Sequence, residues 1–361
     1  MDRLKVGIIG CGAIAQIQHL PHLRELNDTF EIAGLCDLSP RLLATLGEEY
    51  GVSPERRFAD YHDLVRSDVD AVIVCPFGSH APPSIAASEA GKHVLVEKPM
   101  CTTVAEAQAM VDAADRNGVL LMVAYMKRHD PAYQYAKARV ARMPGARFIQ
   151  VNHLHPDNSL HLNEFKVHRF DDIPASAKEE ASTESRRQIA EALGLDEVPP
   201  AIRSAFSTVL GSMIHDVGNL HGMFGPPERV VSTDIWADGR GITTNLAYPG
   251  ERRAICTWVD LPELWDFKET IEVYGLNDRV IVSFPTGFSR GQPTNVVVQG
   301  QEPGGHPWTK HLSWHDNAFK CELQHFRECI LAKKQPLTPG RDAIADVALV
   351  RDIILAYLRS R

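Results

Sequence analysis

The chain has 361 residues, 44% hydrophobic and 23% charged, the balance of a globular protein with room for about two domains of ~150 residues. Lys plus Arg number 38 against 46 Asp plus Glu, a formal net charge of −8; with no basic run, nucleic acid and anionic membranes are poor partners. Seven cysteines without a CxxC or Cys/His zinc spacing, no apolar stretch of about 18 residues and no cationic leader point to a cytoplasmic chain with reduced thiols, outside the membrane.

Short β-branched runs come first. Leu4–Ile9, Phe30–Cys36, Ala71–Cys75, His93–Val96 and Leu120–Ala124 read as strands separated by helical patterns. Several are apolar throughout, as strands of a parallel sheet covered on both faces must be. Residues 1–124 therefore read as one domain, a doubly wound α/β sheet. From about residue 145 the style changes. Arg147–His155, Arg229–Ala237, Thr243–Tyr248, Ala254–Asp260, Thr270–Tyr274 and Arg279–Phe284 follow one another with few helices between them. That pattern predicts an open, mostly antiparallel sheet in a second α/β domain, 125–361, closed by helices at Phe319–Ala332 and Asp342–Tyr357. The free face of that sheet is expected to be apolar enough to need covering, and an oligomer is expected.

Between the two styles lies an insertion, 157–210. Ser176 and Glu179 have capping-box spacing, Ala177–Leu193 has helical composition and Gly194 suits a C-cap. Pro199-Pro200 then precedes another short helix. The segment reads either as a surface excursion or as a lid over a cleft between the domains.

Gly10-Cys11-Gly12-Ala13-Ile14-Ala15 follows the first strand and opens a helix. In that strand–turn–helix context GxGxxA is a dinucleotide signature. Gly10 permits the tight turn, Gly12 lets backbone approach a pyrophosphate, and Ala15 keeps helix and strand close. The free N–H groups at the helix start and the helix dipole attract phosphate. Asp37, about 20 residues further on, suits the adenosine ribose hydroxyls and would repel a 2′-phosphate. NAD is therefore favoured over NADP, although Arg41 lies near enough to weaken that preference.

Further motifs carry a resemblance. Cys75-Pro76-Phe77-Gly78-Ser79-His80, the run Ala90-Gly91-Lys92-His93-Val94-Leu95-Val96-Glu97-Lys98-Pro99-Met100, Met126-Lys127-Arg128-His129-Asp130-Pro131 and Glu322-Leu323-Gln324-His325-Phe326 together resemble the Gfo/Idh/MocA oxidoreductases. The resemblance implies a Rossmann domain followed by an α/β domain with an open antiparallel sheet. It sets Pro76, His80, Glu97 and Lys98 against the cofactor, with Glu97 binding ribose or tuning the lysine. Lys98 is implied beside the reacting hydroxyl, where an ammonium stabilises alkoxide charge and relays the proton. The family often has a cis bond before the proline. In Gly211-Ser212-Met213-Ile214-His215-Asp216 the better register makes His215 the family's substrate-facing histidine. Its partner carboxylate is then replaced by Gly211, and Asp216 lies about 100° around the helix.

Lys127, Arg128 and His129 read as substrate contacts or as salt bridges at the domain boundary. His153 and His155 alternate on a strand and read as a sugar-facing pair, as local hydrogen-bonding groups or as metal ligands; no third ligand is evident, and no metal is expected. Cys11 and Cys101 read as packing residues. The expected function is hydride transfer between NAD(P) and a secondary alcohol of a sugar, sugar derivative or cyclitol, a small polar substrate, with Lys98 and His215 catalytic. Two alternatives stay open: a redox-recycling lyase or glycoside-cleaving enzyme with bound NAD, and a non-catalytic dinucleotide-sensing protein.

Overall fold

The computed structural model describes residues 3–361. Strands β1 (Leu4–Ile9), β2 (Phe30–Cys36), β3 (Arg57–Phe58), β4 (Ala71–Val74), β5 (His93–Glu97) and β6 (Leu121–Ala124) form one sheet. Its order is β3-β2-β1-β4-β5-β6 and every pair is parallel. Ile8, Leu35, Ile73 and Leu95 are fully buried, because helices cover both faces and leave no polar side to alternate with. The strand order reverses between β1 and β4, the place where a doubly wound sheet opens a binding crevice.

A second sheet holds β7 (Phe148–His155), β8 (Arg229–Trp236), β9 (Gly241–Ala247), β10 (Arg253–Asp260), β11 (Lys268–Tyr274), β12 (Arg279–Phe284), β13 (Thr294–Gln301) and β14 (Pro307–Trp314). The order is β14-β13-β12-β11-β7-β10-β9-β8, antiparallel except for β7 with β10. Ile149, Val151, Ile271, Val273, Val280, Val282, Val296 and Val298 are buried on one face. The opposite face is mixed, with Ile255, Ile281 and Val297 half-buried on it. Register places Thr243, Thr257, Asn152, Thr270, Ser283, Asn295 and Ser313 in one row across seven strands.

The chain divides into two compact units. One holds the residues through Ala124 with Phe165–Gly194 and Glu322–Val347; the other holds Tyr125–Glu164, Leu195–Cys321 and Ala348–Arg361. The insertion is thus shared, its middle lying with the parallel sheet. Its first long helix, Ala175–Leu193, ends on Gly194 in the left-handed conformation (φ 65°). The Ser176 capping box does not form: Pro174 is the N-cap, and no side chain caps the helix. Pro174, extended at ψ 135°, starts the helix early enough to place Ser176 inside it. Residue 210 is likewise no boundary, since Pro200–Thr208, a π turn Val209–Met213 and Ile214–Phe224 run on as one helix. Among the described residues, no helix is long and apolar enough to cross a membrane, and all seven cysteines are free.

Candidate active site

In the first unit the glycine turn joins β1 to a helix that runs from Ala13 to Glu25, wound as a π turn over Ala15–His19. Gly10 sits at φ +88°, and a Cβ there would run into the backbone of Pro76. A Cβ on Gly12 would meet no heavy atom within 4 Å. The turn is therefore closed on its sheet side and open on the side where a ligand's phosphates would lie. Ala15 is fully buried. The Asp37 carboxylate accepts from the Cys11 amide at 2.8 Å and the Ser39 amide at 2.9 Å, tying the loop after β2 to the turn. An open glycine cradle, a helix start and a carboxylate at the end of β2 fit a dinucleotide.

At the end of β5, Glu97 is buried. One of its oxygens lies 2.8 Å from His19 Nε2 and the other accepts from the Lys98 amide at 3.1 Å. Burial alone would raise this carboxyl; the hydrogen bond and charge of His19, with Lys98 and His80, hold it below the usual range. Glu97 therefore fixes the backbone of Lys98, which is half-buried and followed by a cis peptide to Pro99. His80 Nδ1 lies 2.9 Å from the Glu97 carbonyl and 2.8 Å from that of Pro99, and Nε2 lies 3.1 Å from that of Pro76. The ring staples the two loop ends. Glu322 is fully buried in the same unit; burial, then the charge of Glu97, push its carboxyl well above the usual range.

The segment Phe165–Gly194 crosses the carboxyl ends of these parallel strands. The His168 amide donates to Gln16 Oε1 at 2.8 Å, and Gln16 Nε2 donates to the His168 carbonyl at 3.1 Å and the Cys11 carbonyl at 2.8 Å. Asp172 reaches the loop after β2. Gln188 Nε2 donates to Glu106 at 2.6 Å, in the first turn of the helix Val104–Asn117 that follows β5.

The second unit contains a buried charged cluster. Lys127 pairs with Glu269 of β11, and its ammonium lies 5.2 Å from the centre of the Phe284 ring. His153 of β7 meets Asp216 at 2.9 Å through Nδ1, and its Nε2 stands 3.9 Å from Glu269. Lys127, His153, Asp216 and Glu269 are all nearly inaccessible. Glu269 is held below the usual range because Lys127 and His153 outweigh its burial. Asp216 is pushed up by burial and by the charge of Glu269. His153, Asp216 and Glu269 carry ligand-type atoms within 4.8 Å of one another, but the Lys127 ammonium already occupies one face of Glu269. Arg128 and His129 are buried too. His155 stacks on His153 at 5.7 Å, and burial followed by the His153 charge lower its basicity.

His215 is half-buried on Ile214–Phe224. Gly211 lies in the π turn just before it, and a Cβ there would meet nothing within 4 Å. Trp258 Nε1 donates to Ser212 Oγ at 2.9 Å, anchoring that turn to β10. Cys11 and Cys101 are buried, and burial raises both thiols. His19 and Glu269 were missed in the sequence, though a signal existed, and Glu322 was read only as part of its motif. Gln16, Gln18, His19 and His22 form a polar run on a buried helix face, and Glu269 occupies an inward position in phase with Ile271 and Val273.

A glycine cradle on a doubly wound sheet, an acidic residue ending β2 and a fixed Glu-Lys-Pro corner define a dinucleotide-binding Rossmann unit, followed in the chain by a mainly antiparallel sheet. Residues 4–125 match the model of the oxidoreductase family with an NAD-binding Rossmann fold. Through that region the chain is similar to the Gfo/Idh/MocA oxidoreductases. An inositol 2-dehydrogenase from Paracoccus denitrificans is 37% identical over 150 residues, 40% of this chain and 43% of that protein. A 4-carboxy-2-hydroxymuconate-6-semialdehyde dehydrogenase from Sphingobium is 32% identical over 139 residues, 38% of this chain and 43% of that protein. The chain thus spans less than half the length of these relatives. An aldose-aldose oxidoreductase from Caulobacter crescentus, solved with glycerol, shares the fold over 100% of this chain and 99% of its own, with a TM-score of 0.74 at 22% identity. A 3-ketoreductase from Actinomadura kijaniata, solved with NADP, gives 0.73 at 20% identity over 99% and 98%.

Proposed function

We propose that the chain is a cytoplasmic NAD-dependent dehydrogenase acting on a secondary alcohol of a sugar, sugar derivative or cyclitol. The observation that carries this reading is the corner at the end of β5, where buried Glu97 ties the Lys98 amide to His19 on the helix that follows the glycine turn. Gly10, Gly12, Ala13, Ile14 and Ala15 would hold the pyrophosphate of the dinucleotide, Asp37 and Arg41 its adenosine ribose, and Pro76, His80 and Glu97 the loops around its other end. A bound nicotinamide supplies hydride acceptance. The chain supplies the proton chemistry: the Lys98 ammonium stabilises alkoxide charge and relays the hydroxyl proton, and His215 is the companion base. Lys127, Arg128, His153 and His155 remain proposed neighbours of the substrate. Of these, Lys127 and His153 act through Glu269 and Asp216, to which they are bonded. Inositol 2-dehydrogenases among the relatives support a polyhydroxylated substrate.

Lys98→Ala should abolish turnover and leave NAD binding nearly intact, read by titration of each protein with NAD. Turnover equal to that of the parent overturns the mechanism. Gly211, with open space where a carboxylate was expected, favours one second reading, transient oxidation that drives elimination or glycoside cleavage. Stoichiometric NADH accumulation supports the dehydrogenase; its absence during turnover supports the second reading. A homodimer or homotetramer belongs to the same proposal, and a light-scattering mass at the monomer's 40.0 kDa removes it.

A further inference from the structure

The loop after β2 ends in Ser39, which caps the helix Pro40–Tyr50 by accepting from the Leu42 amide at 3.1 Å. In a Rossmann unit this loop faces the adenosine ribose, and an arginine near it accommodates a 2′-phosphate. Ser39 Oγ, the Arg41 amide and the Arg41 guanidinium are the donors such a phosphate would use. All three are already engaged by consecutive residues of the crossing segment. Ser39 Oγ donates to Asp172 Oδ1 at 2.5 Å, and the Arg41 amide donates to Asp172 Oδ2 at 2.9 Å. The Arg41 guanidinium lies 3.6 Å from Asp171 and 4.5 Å from the centre of the Phe170 ring. The Asp172 carboxylate is bound as an anion is bound at a helix start; the Ser39 hydrogen bond, foremost, keeps it below the usual range and so ionised at neutral pH.

We propose that Asp172 is a coenzyme-selectivity residue: its carboxylate stands in for a 2′-phosphate, so that the chain accepts NAD and excludes NADP. The inference rests on the dinucleotide-binding reading and adds a second determinant to Asp37. Asp37 meets the ribose hydroxyls, whereas Asp172 takes the donors that would reward an added phosphate. It also assigns work to the insertion, whose stretch 170–172 closes the phosphate corner while 168 holds the glycine turn.

The test uses the full chain and two probes that carry no redox chemistry, AMP and adenosine 2′,5′-bisphosphate, titrated by calorimetry beside NAD and NADP. Asp172→Asn removes the charge and keeps the hydrogen-bonding shape, so the fold is preserved; Asp172→Ala empties the corner. Both should tighten adenosine 2′,5′-bisphosphate and NADP by roughly tenfold relative to AMP and NAD. Arg41→Ala placed on Asp172→Asn should remove most of that gain. An unchanged ratio in both variants, with AMP still bound, overturns the inference and leaves the dinucleotide reading standing. A parent protein that prefers NADP also overturns it. A parent that binds none of the four probes overturns the dinucleotide reading and the inference with it.

Discussion

Two glycines two residues apart have different reasons to be glycine, and substitution separates them. Gly10 is held at φ +88° with the Pro76 backbone where a side chain would go. Gly10→Ala must adopt a left-handed conformation costing about 1–2 kcal/mol and also displace a neighbouring backbone. It should lower stability by about 2–4 kcal/mol, visible as an earlier urea midpoint. Gly12 has negative φ and open space around it, so Gly12→Ala should melt within about 0.5 kcal/mol of the parent. A methyl at position 12 would instead occupy the space offered to a pyrophosphate, and NAD affinity should fall by at least roughly tenfold. A Gly12→Ala protein that binds NAD as the parent does removes the glycine turn from the site.

The buried cluster of the second unit ties four elements together: the turn Met126–His129, β7, β11 and the helix Ile214–Phe224. Removing one partner of a buried ion pair leaves an uncompensated charge, which typically costs about 3–5 kcal/mol. Lys127→Met should therefore destabilise by about that much. Adding Glu269→Gln should recover most of the loss, since the orphaned charge goes with it; a double variant no better than the single removes the pairing argument. None of this was legible at Lys127 alone, because a lysine beside an arginine and a histidine reads equally as substrate contact or salt bridge. Strands with strong period or unbroken apolar runs were legible to within two residues. β3 was not, being only two residues long. Nor was β14, half or fully exposed along its length with no apolar alternation to read; β13 is the exception, missed although its burial alternates. The glycine turn could be found because local chemistry fixes it, and the Glu-Lys-Pro corner through the resemblance of the run that contains it. Asp172 could not, since its partners lie 131 and 133 residues away and no local pattern carries such a contact.

Each unit keeps buried carboxylates whose proton affinities are pulled in opposite directions, and the two kinds contribute to the pH dependence of stability with opposite sign. Glu97 and Glu269 are held below their ordinary value of 4.5. The stability they contribute is fully present above that value and is lost as pH falls through their folded values. Glu322 and Asp216 are shifted the other way, from 4.5 and 3.8 respectively. For these the folded chain binds the proton more tightly than the unfolded chain, so stability declines as pH rises from those ordinary values through the folded ones. The alkaline loss has an identifiable origin in Glu322, whose burial and proximity to Glu97's charge both oppose ionisation. Glu322→Gln keeps the shape and cannot ionise. Near pH 8 it should melt about 2–4 °C above the parent, and near pH 4, where both side chains are neutral, the two proteins should melt together. A gain of equal size at both pH values would mean that packing rather than charge distinguishes them, and no gain near pH 8 would mean that the Glu322 carboxylate is already compensated in the folded chain.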